Sequence, residues 1–212
     1  MKNIYIFHGW WSSPSDVWIP WLKEEVESKG YNVVVPKFSK RYLHDESMMG
    51  WLENIIRVPS LDDFFVTHSA GGQLAIRYCE HISKHLESKV GGMILVAPFQ
   101  IPKRRAVRGG LIKEGLAEKN DYLLDNLSEE LDEISRWGEM PIDWEKVLRV
   151  SQNNVCFYSG DDHFVNSEEH YLFEKELGAR VVLDGFEEAG HFESLEQFEV
   201  RDSLFEMIRI GK

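Results

Sequence analysis

Cysteine is scarce in this 212-residue chain, and basic residues are fewer than acidic ones. The two cysteines, Cys79 and Cys156, are too few for a disulfide framework, and each lies in an apolar segment. We therefore expect two buried thiols in a reducing cytoplasm. Lysine and arginine total 24 against 36 acidic residues, and the net charge of −12 argues against general binding to nucleic acid or anionic membranes.

Long hydrophobic runs are also missing from the chain. No stretch approaches the roughly 20 apolar residues that a membrane-spanning helix needs. The apolar run at the start, Met1–Phe7, is too short for a signal peptide. The hydrophobic content of 43% and aromatic content of 12% are typical of a globular protein. The sequence thus predicts a single domain over residues 1–212, with no membrane partner.

Short apolar segments alternate with amphipathic helical patterns along the chain, which is typical of βα units around a parallel sheet. Most of these segments are nearly continuous in apolar residues, as expected for strands that helices cover on both faces. We therefore predict an α/β fold of three layers, α/β/α, with a six-stranded, mainly parallel sheet. The predicted strands are Asn3–Phe7, Asn32–Pro36, Asp63–Thr67, Met93–Ala97, Val155–Ser159 and Ala179–Leu183.

Helical patterns fill most of the intervals between these strands. They cover Asp16–Lys29, Asp45–Val58, the segment after Ser69, and Asn166–Leu177 before a glycine stop. A capping box formed by Ser194 and Gln197 predicts that the last helix begins at Ser194 and runs to about Arg209.

Residues 100–141 interrupt this alternation. The segment has no strand signal and is polar, charged and modestly helical. A gap of this length inside a compact domain usually carries function or forms a subdomain. We predict a small helical cap over the carboxyl ends of the strands.

Ser69 lies where a predicted strand turns into a predicted helix, in the run Phe64-Phe65-Val66-Thr67-His68-Ser69-Ala70-Gly71-Gly72. The apolar residues end abruptly in small ones, and apolar side chains then recur with helical spacing. A serine at such a corner exposes its hydroxyl beside the positive end of a helix. This is the geometry of a nucleophile elbow, so we predict that Ser69 is a nucleophile.

A serine nucleophile needs a base, and the base needs a carboxylate that fixes its tautomer. His191 follows Gly190 in a loop before the last helix, so it is the predicted base. The end of the fifth strand offers two adjacent acids, Asp161 and Asp162, and spacing alone does not choose between them. The order serine, aspartate, histidine is the order found in α/β-hydrolases.

Backbone amides are the expected donors to the oxyanion of such a reaction. The N–H of Ala70 lies at the start of the helix, and the N–H of Trp10 follows Gly9, which lets the backbone approach closely. An apolar acyl pocket is expected from four aromatic residues at strand ends, which are Trp10, Trp11, Phe99 and Phe164. The histidines lack metal-ligand spacing, so we predict neither a metal nor a cofactor.

These residues resemble the retinoblastoma-binding-protein-9-like serine hydrolases, a compact branch of the α/β-hydrolase superfamily. The resemblance covers nearly the whole chain except residues 100–141, which look longer here. The segments that carry it are Phe7-His8-Gly9, His68-Ser69-Ala70-Gly71, Trp144-Glu145-Lys146, Asp161-Asp162-His163-Phe164-Val165 and Gly190-His191-Phe192.

The resemblance implies an α/β-hydrolase fold and hydrolysis of small carboxylic esters by nucleophilic serine chemistry. In the family the catalytic acid lies three residues before an aliphatic position, which selects Asp162 over Asp161. Thr67 departs from the family, because the elbow usually begins with glycine two residues before the nucleophile. A Cβ at Thr67 crowds the turn, so we expect a slightly relaxed elbow.

Other functions fit the same pattern. The acyl substrate, which we expect to be a small molecule, could be a thioester, an amide or a peptide instead of an ester. A different class of function is a protein-binding scaffold with weak or vestigial activity, since fold alone never establishes activity. The sequence identifies no particular protein partner.

Overall fold

The computed structural model describes residues 1–38, 46–85, 88–100, 132, 135–136, 138–183 and 189–210. Most of the predicted cap over residues 100–141 lies outside these ranges.

A six-stranded sheet forms the centre of the fold, and every neighbouring pair of its strands is parallel. The strand order is β2-β1-β3-β4-β5-β6. Because the strands are parallel, their carboxyl ends share one edge of the sheet, where the loops that carry function emerge. The strands are β1 Asn3–Phe7, β2 Asn32–Val34, β3 Asp63–His68, β4 Gly92–Val96, β5 Asn154–Phe157 and β6 Arg180–Val182.

Helices cover the sheet in two layers, in agreement with the predicted α/β/α arrangement. In the first layer, α1 Ile19–Glu27 meets α6 Phe198–Ile210 through an ion pair of 2.9 Å between Glu25 and Arg201. In the second layer, α3 Ala70–Ile82 packs against α2 Glu46–Ile56 and against α4 Trp144–Val150, which in turn packs against α5 His170–Leu177. Within the described ranges, no helix is both long enough and apolar enough to span a membrane.

The ends of the last two helices test two of the sequence patterns. Gly178 ends α5 in the left-handed region, with φ 60°, as the glycine stop predicted. The predicted start of the last helix at Ser194 is wrong, since α6 begins at Phe198. Phe192 is fully buried, and residues 193–197 form a loop between it and the helix.

The helix α4 has no counterpart among the predicted helices. Asp143 caps it, because its side chain accepts a hydrogen bond of 3.1 Å from the backbone N–H of Lys146. An aspartate cap followed by a glutamate in the first turn is the local signal that was available in the sequence.

The amino-terminal end of α3 lies directly against the carboxyl end of β1. A Cβ on Gly71 would lie 2.3 Å from the carbonyl oxygen of Phe7 and 2.9 Å from that of His8. A Cβ on Gly9 would lie 3.2 Å from the Cβ of Ser69. The two segments therefore meet backbone against backbone, with no room for a side chain at Gly71.

We expect Gly71→Ala to destabilise the protein strongly, because the new methyl group meets main-chain oxygens that no rotamer change can move. Overpacking of this kind costs about 1–3 kcal/mol, and a backbone clash belongs at the upper end. Urea unfolding measures the loss. Gly50→Ala on α2 is the matched control, since a Cβ there meets nothing within 4 Å and alanine favours helix. Equal stability of the two variants would contradict the proposed close approach.

Candidate active site

Ser69 joins β3 to α3 in a strained conformation. Its backbone has φ 53° and ψ −122°, a region that residues other than glycine rarely adopt. The N–H of Ser69 donates to the carbonyl of Val96 at 2.8 Å, and the carbonyl of Ser69 accepts from Gly72 at 2.9 Å. These bonds fix the turn from both sides. Ser69 is 8% exposed and therefore buried, whereas the sequence predicted an exposed hydroxyl.

Thr67 stands two residues before Ser69, with its side chain fully buried. Its Oγ1 lies 3.4 Å from the point where a Cβ of Gly72 would stand, which is an ordinary van der Waals distance. Ser69 keeps a positive φ angle beside it, so a side chain at Thr67 is compatible with the turn. The slight relaxation of the elbow expected from this side chain stays a prediction.

His191 lies in a tight turn that follows β6. Its neighbours Gly190 and Phe192 both have positive φ angles, 53° and 57°, and the N–H of Phe192 donates to Ala189 at 2.8 Å. The ring of Phe192 is fully buried, so the turn is anchored in the core while the imidazole of His191 faces the sheet edge. The side chain of His191 is 12% exposed.

The two candidate acids contact different parts of this turn. Oδ2 of Asp162 lies 2.8 Å from Nδ1 of His191, and because a carboxylate only accepts, Nδ1 carries the proton. The other oxygen of Asp162 accepts backbone N–H groups from Phe164 at 2.8 Å and Val165 at 2.9 Å. The structure therefore brings the His191 ring to Asp162, whose side chain is 2% exposed.

Asp161 holds the backbone of the same turn. Its Oδ1 accepts the hydroxyl of Ser159 at 2.5 Å and the N–H of Gly190 at 2.8 Å. The hydrogen bond from Ser159 lowers the pKa of the Asp161 carboxyl, and the Gly190 amide adds to this effect. Asp161 thus fixes the residue before His191, while Asp162 fixes the imidazole itself.

His8 orders the loop that follows β1. The N–H of Phe38 donates to Nε2 of His8 at 3.3 Å, so the proton of the neutral ring is on Nδ1, which donates to the carbonyl of Gly9 at 3.0 Å. Burial lowers the pKa of His8, which favours this neutral form. Because a trans peptide is planar, a Gly9 carbonyl that faces His8 turns the N–H of Trp10 to the opposite side.

The remaining residues predicted for the site are distributed around these loops. Ala70 is the first residue of α3, and helical N–H groups in the first turn have no partner within their helix. The rings of Trp10 and Trp11 meet edge to face at 6.2 Å, and the ring of Phe164 lies 4.9 Å from that of His191. Phe99 is 8% exposed and belongs to the hydrophobic core.

His68 contacts His191, and sequence patterns did not reveal this contact. Its Nε2 lies 2.8 Å from the carbonyl oxygen of His191, and the centroids of the two rings are 4.8 Å apart. Burial lowers the pKa of His68 to about 3, and the neighbouring His191 adds to the shift. The only sequence signal was its position beside Ser69, which assigned it no role.

Across the described residues, histidine, cysteine, aspartate and glutamate side chains form no group of three that could hold a metal ion. The polar groups around His191 are instead joined by direct hydrogen bonds within the protein.

A comparison with family models identifies the relatives of this arrangement. Residues 4–209 match the model of the family described as serine hydrolase, which is nearly the full length of the chain. The chain belongs to the serine hydrolase family. The narrower assignment to the retinoblastoma-binding-protein-9-like branch does not follow from this match.

Individual relatives of this serine hydrolase family member support the same fold. The protein YdeN of Bacillus subtilis (strain 168) is 25% identical over 199 residues, which cover 90% of this chain and 86% of YdeN. The crystal structure of the B. subtilis ydeN product has a TM-score of 0.78 at 20% identity, and covers 99% of this chain and 100% of that one.

A solved structure from an archaeon widens this comparison. The Pyrococcus furiosus esterase Pf2001 has a TM-score of 0.68 at 16% identity, covering 99% of this chain and 82% of that chain. At such identities the likeness concerns the fold, which is that of the α/β-hydrolases. The predicted fold class is thereby confirmed for the serine hydrolase described here.

The buried imidazole of His68 makes the stability of this family member depend on pH. Because its pKa is about 3 in the folded state, the unfolded chain takes up a proton below pH 6.5 that the folded chain does not. Stability is therefore full above pH 6.5 and falls as the pH decreases towards 3, by up to about 1.4 kcal/mol per pH unit for one such group.

Replacing this imidazole isolates its contribution to the pH dependence. We expect urea unfolding of His68→Phe, measured between pH 4.5 and 7, to show a slope smaller by about one proton than that of the wild-type protein. His8, whose pKa is also lowered, remains in both proteins and cancels in the difference. Identical slopes would show that His68 has the same pKa in the folded and the unfolded chain, which would contradict its burial as a neutral ring.

Proposed function

We propose that this protein is a carboxylic-ester hydrolase that works through an acyl-enzyme at Ser69, with His191 as base and Asp162 as the acid. The observation that carries the proposal is the hydrogen bond of 2.8 Å between Asp162 and His191, in a turn bonded to the residue beside Ser69. The strained backbone of Ser69 is the second support, because nucleophile elbows adopt such a turn.

The proposed reaction follows from the protonation state of His191. With its proton on Nδ1, the neutral imidazole has a free lone pair on Nε2, which takes the Ser69 hydroxyl proton as Oγ attacks the ester carbonyl. The imidazolium that forms is stabilised by the Asp162 carboxylate and then protonates the departing alcohol. Water repeats the sequence on the acyl-enzyme, which releases the carboxylic acid and restores the serine.

The negative oxygen of the tetrahedral intermediate needs two N–H donors. We assign them to Ala70, at the start of α3, and to Trp10, whose peptide is oriented by the bond between His8 and the Gly9 carbonyl. The Gly9 backbone packs against Ser69, as the 3.2 Å approach indicates, which brings this peptide next to the nucleophile. We assign the apolar acyl pocket to Trp10, Trp11, Phe99 and Phe164.

Several finer assignments belong to the same proposal. The segments around Ser69, Asp162 and His191 favour the retinoblastoma-binding-protein-9-like branch of the family. Two cysteines that are buried as free thiols suit a cytoplasmic protein. The fold neighbour from P. furiosus is an esterase, which supports an ester as the substrate class.

A fluorophosphonate probe tests the nucleophile directly. We expect a single adduct at Ser69, found by mass spectrometry of the digested protein, because only an activated serine attacks this phosphorus centre. Ser69→Ala should abolish both the adduct and the hydrolysis of p-nitrophenyl acetate. The control Ser28→Ala, at an exposed serine after α1, should keep both. A folded wild-type protein that is not labelled at Ser69 would refute the proposal.

Substitutions distinguish the roles of the two neighbouring acids. Asp162→Asn should lower kcat by about 10⁴-fold, because an amide no longer holds the proton on Nδ1 of His191 or stabilises its cation. Asp161→Asn keeps an oxygen that accepts from Gly190, so its loss should stay within about tenfold, the value of one neutral hydrogen bond. Steady-state kinetics on one ester measures both. The reverse ranking would assign the acid to Asp161.

A further inference from the structure

His68 is the last residue of β3 and directly precedes Ser69. Its Nε2 and the carbonyl oxygen of His191 are 2.8 Å apart, although the two residues are separated by 123 positions. A carbonyl oxygen only accepts, so Nε2 of His68 carries the proton and donates it. The rings are tilted by 46° at 4.8 Å, so His68 contacts both the main chain and the side chain of His191.

Packing alone does not account for an imidazole at His68. Its Nδ1 is buried and has no hydrogen-bond partner among the described residues, which is unfavourable for a polar atom. A phenylalanine would fill the same volume against the ring of Trp18, at 5.8 Å, without a buried nitrogen. The imidazole supplies an N–H donor on Nε2, and an apolar ring of similar size has no such donor.

The charge state of His68 suits a donor beside a base. Burial, with a pKa of about 3, keeps the ring neutral at ordinary pH. A positive charge 4.8 Å from the His191 ring would oppose the imidazolium that the proposed reaction forms there. The neutral ring donates the hydrogen bond without this repulsion.

We propose that His68 is a positioning residue, which holds the His191 turn at the distance from Ser69 that proton transfer requires. Asp161 accepts the N–H of Gly190 in this turn, and Asp162 accepts from the imidazole. Both acids belong to the loop after β5, whereas His68 joins the turn to the strand that directly precedes Ser69. The catalytic consequence rests on the proposed function, and the position of His191 does not.

Three substitutions at His68 test the donor. The amide nitrogen of glutamine reaches the place of Nε2, that of asparagine reaches the place of Nδ1, and phenylalanine has no donor. We expect His68→Asn and His68→Phe to lose about 100-fold in kcat with little change in KM, as for a misplacement of about 1 Å. His68→Gln should recover most of this loss, although it keeps less of the packing than phenylalanine.

This comparison distinguishes a positioning role of His68 from a purely structural one. A structural role alone would make kcat follow the unfolding free energy of each variant and would not separate glutamine from asparagine. The control His85→Gln lies roughly 20 Å away, beyond the far end of α3, and should leave kcat unchanged. Wild-type kcat in folded His68→Asn and His68→Phe would overturn the proposal.

The tautomer of His68 can be measured on the wild-type protein, independently of the folding of any variant and of any enzymatic activity. In ¹⁵N-histidine NMR spectra, His68 should show a protonated Nε2 and a bare Nδ1 at pH 7, because the carbonyl of His191 fixes that tautomer. The opposite tautomer would overturn the positioning role whatever the enzyme does. If the expected tautomer is found but the probe does not label Ser69, the proposed function fails and the link between His68 and His191 stands.

Discussion

The contact between the start of α3 and the end of β1 is the constraint on which the site depends. The absence of a side chain at Gly71 lets the helix reach the carbonyl oxygens of Phe7 and His8. Ser69 stands at this junction with φ 53°, a strain of about 1–3 kcal/mol that the packing on both sides maintains. The contact between α3 and β1 also positions the loop after β1 beside Ser69. Helix, strand and loop are therefore fixed together.

The fold was largely readable from the sequence because a parallel sheet leaves a strong pattern. Strands that are covered on both faces are continuous apolar runs, and each of the six was found within a few residues of its ends. The start of the last helix was misplaced because Ser194 and Gln197 match a capping box by type. A local pattern contains no information about which neighbouring residues the tertiary structure buries, and Phe192, two residues before Ser194, is fully buried.

The candidate site was readable only as far as chain order and local turns allow. Ser69 was predicted from its place between a strand and a helix, and His191 from Gly190 and the loop before the last helix. Spacing left Asp161 and Asp162 equivalent. The separate contacts of the two acids depend on side-chain directions in one loop. The bonds from His68 to His191 and from Phe38 to His8 join residues 123 and 30 positions apart, and no sequence period marks such contacts.

The threonine at position 67 has a consequence for how relatives of this protein are recognised. A pattern search that demands glycine two positions before the serine passes over this chain, because threonine stands there. The positive φ angle of Ser69 is present all the same, so the backbone turn does not require that glycine. A search written for the shape of the turn would collect chains that the letter-by-letter motif divides.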